Sequence, residues 1–334
     1  MNYSIHQLRG ALLEEAILFL LKSSGYDPIT AAGGDPMLRD GPSGLTVLGR
    51  GAAHQIDAVA DFKISPPFSH PQRLLLEGKF HESRIALPTL RNAAGVIKDV
   101  SEGWTVAGRS GGAIPRSRFH YLYAVFSVSD FTTGAQDYAF AHDIFLLPLR
   151  RSSFFRPIVS AIEAVDIGAV SRQPKLSAVR HWVRSRLLGQ AGGMVGEDVP
   201  NELQASLNAL MRECFGLRFG FITMFGGQFP AFLAAAPDFS PEKQDQIVIV
   251  RIRVRQGSWF VERHDGQPLF SFDLPEKIFE LYAENGRMQR GAVAQIKGDL
   301  MRSFFAFYRQ YDEVRLIQLR LDGDWYESIR QASE

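Results

Sequence analysis

The sequence predicts an α/β (α+β) N-terminal half in the order αββαβαβ, followed by a second α+β domain. Three observations carry this expectation. Over the first 150 residues, segments with a helical apolar period alternate with short β-favouring runs. Clusters of glycine and proline separate those segments. The charge balance then shifts just past Leu149, which marks an end to the first half. At 334 residues, with 46% hydrophobic and 22% charged positions, the chain has ordinary globular composition and length for two domains.

Leu8, Leu12, Ala16, Phe19 and Leu20 share one face of a helix expected from Ile5 to Ser24, and Gly25 supplies its stop. Between Tyr26 and Leu45, Pro28, Gly33, Gly34, Pro36, Gly41, Pro42 and Gly44 are dense enough to predict an exposed loop. Gln55 to Phe62 and Arg73 to Phe80 read as two strands joined by a turn containing Pro66, Pro67 and Pro71. A helix from Leu87 to Val100, a buried strand from Phe119 to Val128, a helix from Thr132 to His142 and a short strand from Asp143 to Leu147 complete the half.

Residues 151–194 carry seven Lys or Arg against two Asp or Glu, whereas the first 150 carry 14 of each sign. Arg172, Lys175, Arg180, Arg184 and Arg186 lie in this stretch, which ends near Gly192-Gly193 and reads as a basic helical connector. Such a segment is either a solvated helical face or a contact for DNA backbone or a partner. Residues 195–334 hold 16 basic and 20 acidic residues, with strands expected at 219–225, 246–255, 257–263 and 313–321 and a hairpin turn at Gln256-Gly257. Phe304 to Tyr308 carries aromatics at helical spacing and reads as core.

A formal net charge of +1 announces no global basic field, so any nucleic-acid contact must come from local patches. The single cysteine, Cys214, excludes an intramolecular disulfide and a cysteine-based zinc site and suits a reducing compartment. The N-terminus lacks the basic-then-apolar order of a secretory signal, and no apolar run approaches membrane-spanning length. A cytoplasmic protein is expected.

The chemistry concentrates in Leu74-Leu75-Leu76-Glu77-Gly78-Lys79 and in Asp57 upstream. An apolar run ending in acid, any residue, lysine needs its charges compensated, and a divalent cation is one means. Hydrolysis of a phosphodiester needs an activated water, neutralised phosphoryl oxygens and a stabilised leaving oxygen, all of which Mg²⁺ supplies. Asp57 and Glu77 are the expected carboxylate ligands and the Gly78 carbonyl a third, with Mn²⁺ able to substitute. Strand alternation puts Glu77 and Lys79 on one side and Gly78 on the other, so the ammonium stands beside the metal. There it either holds the scissile phosphate or stabilises a developing hydroxide.

Five segments in order resemble the Mrr-like branch of the PD-(D/E)XK restriction endonuclease superfamily over residues 5–149. They are Gly10-Ala11-Leu12-Leu13-Glu14 with Gly25-Tyr26, then Gly49-Arg50-Gly51-Ala52-Ala53-His54-Gln55-Ile56-Asp57, then Glu77-Gly78-Lys79. Leu90 to Asp99 and Phe131 to Ala139 follow. No proline precedes Asp57, as in many superfamily members. The resemblance implies a restriction endonuclease-like core, a central mixed sheet flanked by helices, Mg²⁺-dependent phosphodiester hydrolysis and DNA as substrate. It also implies that Glu14 joins Asp57, Glu77 and Lys79 in catalysis by steering metal-bound water or a second ion.

His54 and Gln55 are candidates to touch phosphate, although residues so placed more often satisfy loop backbone. His81, Glu82, Asn92 and Lys98 are weaker candidates. Arg251, Arg253 and Arg255 alternate with Ile252 and Val254 and project from one strand face. They either track phosphates, with Trp259 and Phe260 stacking on bases, or are neutralised by acids such as Glu262, Glu276 and Glu280. The domains expected are a nuclease domain at 1–150, the connector at 151–194 and an α+β recognition or partner-binding domain at 195–334. The reading is a Mg²⁺-dependent DNA endonuclease of bacterial restriction or antiviral defence. Its rivals are a nuclease-fold scaffold subunit that binds a partner protein and a nuclease active only in complex. Cleavage of both strands calls for sequential nicking or two sites, as in a homodimer.

Overall fold

The computed structural model describes residues 3–41, 44–62, 64–107, 119–168, 170, 172–189, 199–216, 220–255, 257–310 and 313–332. It is a mixed α+β chain of two compact units, one of residues 1–151 and 155–216, the other of 152–154 and 217–334. No helix among the described residues is long and apolar enough to cross a membrane.

The first unit begins with α1 (Ile5–Ser23), opened by a reciprocal cap in which Ser4 and Gln7 each accept the other's backbone N–H. Leu8, Leu12, Leu13, Ala16, Leu20 and Leu21 are fully buried, because α1 is covered on more than one side. Beneath it lie strands β1 (Tyr26–Ile29), β5 (Ala58–Phe62), β6 (Gln72–Lys79), β7 (His120–Ser127) and β8 (Ile144–Pro148), a five-stranded mixed sheet in the order β1-β5-β6-β7-β8. The β1–β5 and β5–β6 pairs are antiparallel and the other two parallel. Helices α2 (Leu87–Ala107) and α3 (Thr133–Ala141) cover the other sheet face, around Val59, Leu75, Tyr123 and Val125.

The described part of the segment 26–45, residues 26–41 and 44–45, is not the exposed loop its Gly and Pro content predicts, and Pro42 lies outside the described residues. That part supplies β1 and a hairpin, β2 (Leu38–Gly41) with β3 (Gly44–Leu48), and Met37, Leu38 and Leu45 are buried. Pro28 is tolerated because β1 is an edge strand, and the glycines serve the turns, Gly33 and Gly34 at positive φ. The expected strand Gln55–Phe62 is also broken. β4 (Ala53–Ile56) joins β2 and β3 in a separate three-stranded sheet while β5 enters the central one, so Asp57 sits at the junction of two sheets.

The basic stretch 151–194 is not a free-standing connector. Its helices α4 (Arg156–Glu163) and α5 (Leu176–Leu188), with α6 (Asn201–Gly216), belong to the first unit and pack on α1. The reason is electrostatic as well as apolar: Glu15, fully buried on α1, is met by Arg180 and Arg184 from α5. Gly192 and Gly193 lie outside the described residues.

The second unit is a seven-stranded sheet in the order β14-β15-β11-β12-β13-β10-β9. The strands are β9 (Gly220–Phe225), β10 (Phe229–Ala235), β11 (Ile247–Arg255), β12 (Ser258–Arg263), β13 (Pro268–Phe272), β14 (Ser303–Gln310) and β15 (Glu313–Leu321). The sheet curls until its edges meet, with the Phe225 and Phe304 rings 5.2 Å apart. Helices α7 (Glu276–Tyr282), α8 (Arg290–Leu300) and α9 (Gly323–Gln331) complete it. The four strands expected here are present, while Phe304 to Tyr308 forms a strand: Phe304, Ala306 and Tyr308 are buried and Phe305 faces out. Gln256 lies outside the described residues, but Gly257 has φ 84°, as the tight β11–β12 turn requires.

Candidate functional site

The β5–β6 ladder stops at Ala58 opposite Leu76, so the Gly78 N–H has no β5 carbonyl to meet. Asp57 at the sheet junction takes that donor, its Oδ2 lying 2.9 Å from the Gly78 nitrogen. Burial raises the Asp57 carboxyl above its ordinary range. The Gly78 hydrogen bond and Lys79 oppose that rise, and Glu77 adds to it. Asp57 and Glu77 are thus close enough to repel each other.

Along β6, Leu75 packs into the core beneath α2, and Glu77 and Lys79 follow on the same face by strand parity. Lys79 Nζ lies 2.5 Å from Glu77 Oε1, and Tyr123 on β7 donates to Glu77 Oε2 at 3.2 Å. The expected pairing of acid and lysine on one side is therefore present. Gly78 points the other way: a Cβ placed there would lie 3.6 Å from Glu14 Cγ and 3.7 Å from Ile17 Cδ1 on α1. Glu14 accordingly approaches Asp57 and Gly78 from the α1 side of the sheet, opposite to Glu77 and Lys79.

Glu14 is pushed up to about 7, chiefly by burial, against the pull of Arg180, with Asp57 and Glu15 raising it further. Arg180 Nη2 stands 2.6 Å from Glu14 Oε2 and its Nε 3.0 Å from Glu15 Oε1. One guanidinium from α5 therefore spans a site acid and its buried neighbour.

A cleft of about 210 Å³ opens where β4, β6, β7 and α2 meet, lined by His54, Gln55, Asp57, Glu77, Asn92 and Tyr123. His54 Nε2 is 2.7 Å from Asp99 Oδ2, and Asp99 also accepts the N–H groups of Gly51 and Ala52. The hydrogen bond to His54 leads in holding the Asp99 carboxyl below its usual range. Asp99 thus braces both the turn before β4 and the histidine facing the cleft.

The structure brings together Asp57, Glu77, Lys79 and the Gly78 backbone, sets Glu14 beside them, and places His54 and Gln55 on the cleft wall. His81, Glu82 and Lys98 are exposed and outside that wall. Tyr123 and Asp99 carry no site role in the sequence reading, and Arg180 enters it only as one charge of the basic stretch. A signal for Arg180 existed in Glu14-Glu15, a doubled acid inside the apolar run from Ala11 to Leu21, which demands a cationic partner.

Arg251, Arg253 and Arg255 share a face as expected but are internally paired, Arg251 with Asp322 and the other two with Glu262. Trp259 is buried in the core, which removes it as a base-stacking candidate.

Two carboxylates and a backbone carbonyl are hard oxygen donors, suited to Mg²⁺ with water completing its shell. Among the described residues no group of three or more His, Cys, Asp or Glu is arranged to hold a metal ion. Any cation here would rest on Asp57, Glu77 and the Gly78 carbonyl rather than on a full protein cage.

No family model matches this chain, and no curated protein matches it. It is similar to a crystal structure described as a protein of unknown function, AF1548, at 15% identity, covering 62% of this chain and 98% of that one with a TM-score of 0.34. A likeness of that size carries no argument.

Proposed function

We propose that the protein is a Mg²⁺-dependent endonuclease that hydrolyses DNA phosphodiester bonds, with its active site at the end of β6. The observation that carries this reading is the convergence of Asp57, Glu77 and Lys79 on one strand end beside an open cleft. The motif resemblance over residues 5–149 supports it, and it points to restriction or antiviral defence in a bacterial cytoplasm. Asp57, Glu77 and the Gly78 carbonyl would hold the cation, which when bound supplies charge neutralisation and water activation. Lys79 brings a cation to the phosphate, and its contact with Glu77 sets its position. Tyr123 orients Glu77 from behind. Glu14, protonated in part near neutral pH, is placed to accept a proton beside Asp57.

Purified protein with Mg²⁺ is expected to nick a supercoiled plasmid, and Asp57→Ala or Lys79→Ala to abolish nicking. Undiminished cleavage by either variant sinks the assignment.

A second reading is favoured by one specific observation. Glu77 meets Lys79, Glu14 meets Arg180, and Asp57 accepts the Gly78 N–H, so each of the three carboxylates has a partner within the chain. A nuclease-fold scaffold that binds a partner protein would look the same. Calorimetry separates the two: the enzyme reading expects Mg²⁺ or Mn²⁺ binding that disappears in Asp57→Ala, the scaffold none.

A further inference from the structure

We infer that the outward face of β14, β15 and β11 is a binding platform for single-stranded nucleic acid. The inference goes beyond the catalytic proposal and does not rest on it.

Strand parity sorts the side chains. Phe304, Ala306 and Tyr308 of β14, Ile317 and Leu319 of β15, and Val248, Val250 and Ile252 of β11 turn into the core. The intervening residues turn out. Phe305, Leu316, Ile247 and Ile249 are large apolar side chains left 41%, 37%, 48% and 41% exposed. The register makes them one surface: Phe307 stands opposite Leu316, Phe305 opposite Gln318, Gln318 beside Ile247, and Arg320 beside Ile249. The rings of Phe305 and Phe307, two residues apart on one strand, have centroids 6.2 Å apart. Paired aromatic rings standing on a sheet surface are what unpaired bases stack on.

The same face continues along β11 into Arg251, Arg253 and Arg255. Ile247 to Arg255 spans about 26 Å at about 3.3 Å per residue, room for several nucleotides. Its charge does not cancel. Arg253 and Arg255 share one buried carboxylate, Glu262, while Arg251 takes Asp322. Arg320 is exposed and has no ion-pair partner among the described residues. Four guanidinium groups thus face two carboxylates. The excess favours a phosphate backbone and disfavours a second copy of this face, which would set arginine against arginine.

At the aromatic end lies a cleft of about 370 Å³ whose wall includes Gln244, Asp245, Gln246, Gln310, Arg315 and Leu316. Its amide and carboxylate groups are the kind that read the edge of an unstacked base.

The test is fluorescence anisotropy of full-length protein in EDTA, so that cleavage plays no part, with labelled oligothymidylate and oligouridylate of about twenty nucleotides and a matched duplex. Binding of at least one single strand in preference to duplex is expected. Phe305→Ala with Phe307→Ala should weaken it by about tenfold or more. Arg320→Ala should weaken it and reduce the salt slope by about one. Arg320 is exposed, so its variant tests the platform even if the double phenylalanine variant fails to fold. Absence of single-strand binding overturns the inference, as does binding that Arg320→Ala leaves unchanged or equal affinity for duplex. A dimer in sedimentation that Phe305→Ala dissolves assigns the face to self-association and overturns it as well. Nicking of plasmid by the same variants reports separately on the β6 site.

Discussion

Glu14→Gln should make the protein more stable at neutral and alkaline pH while impairing the proposed site. Burial raises the Glu14 carboxyl from 4.5 to about 7, with only 15% of its side chain exposed. A folded-state value above the unfolded one means that the native state binds more protons between those two pH values. Stability from this group is therefore full below about pH 4.5 and declines as pH rises toward 7. At about 1.4 kcal/mol per unit, the loss amounts to roughly 3 kcal/mol. Glutamine imitates the neutral carboxyl, and Glu15 keeps its hold on Arg180 and Arg184. Urea unfolding in EDTA, followed from pH 4 to 8, should give coincident stabilities at the acid end. Near pH 8 the variant should lead by roughly 3 kcal/mol. Nicking with Mg²⁺ should fall in the same variant, the trade expected where a site acid is held against its solvation preference. A gap that does not vary with pH, or a variant less stable than wild type at pH 8, refutes the argument.

Two further substitutions test the scaffold around the site. Arg73, whose side chain is 2% exposed, binds Asp61 at 2.7 Å and Asp35 at 2.7 Å and lies over the Phe119 ring. Arg73→Met leaves two carboxylates without their cation and should cost about 3–5 kcal/mol in urea unfolding, with Asp61→Asn recovering part of it. An unchanged midpoint would show the pairs to be solvent-screened. Gly49→Ala would put a Cβ 2.0 Å from Asp99 Oδ2, forcing Asp99 off the Gly51 and Ala52 N–H groups. A loss of about 1–3 kcal/mol should follow, and a fully stable variant would show that the turn can yield.

Much of the first unit was legible because its elements obey local rules. The α1 periodicity, the apolar β6 and β7 runs and the Glu77-Gly78-Lys79 alternation are each set by residues within a few positions of one another. What the sequence hid depends on distant partners. Pro28 reads as a breaker, yet β1 is an edge strand where a missing donor does no harm. Gln55 to Phe62 reads as one strand, yet Ile56 pairs with Leu45 and Ala58 with Leu76 in different sheets. Arg180 reads as one charge in a basic run, yet its partners lie 165 residues away at Glu15 and beside it at Glu14. In the second unit, Phe304 to Tyr308 satisfies helical spacing as well as strand alternation, and only pairing with β15 decides between them.

The sheet junction at Asp57 explains why the site lies where it does. A strand that continued unbroken from β4 into β5 would have carried residue 57 into the ladder, with its backbone paired and its side chain on one sheet face. The break takes Asp57 out of the ladder at the level of Gly78, where its carboxylate substitutes for a β5 carbonyl. The same departure swings β4 away and opens the cleft that His54 and Gln55 line. A restoration of strand continuity would therefore remove the acid and the cleft together. The site's charges need the irregularity, and the core on either side makes it tolerable: Ile56 is anchored among β2 and β3, and Val59 beneath α2.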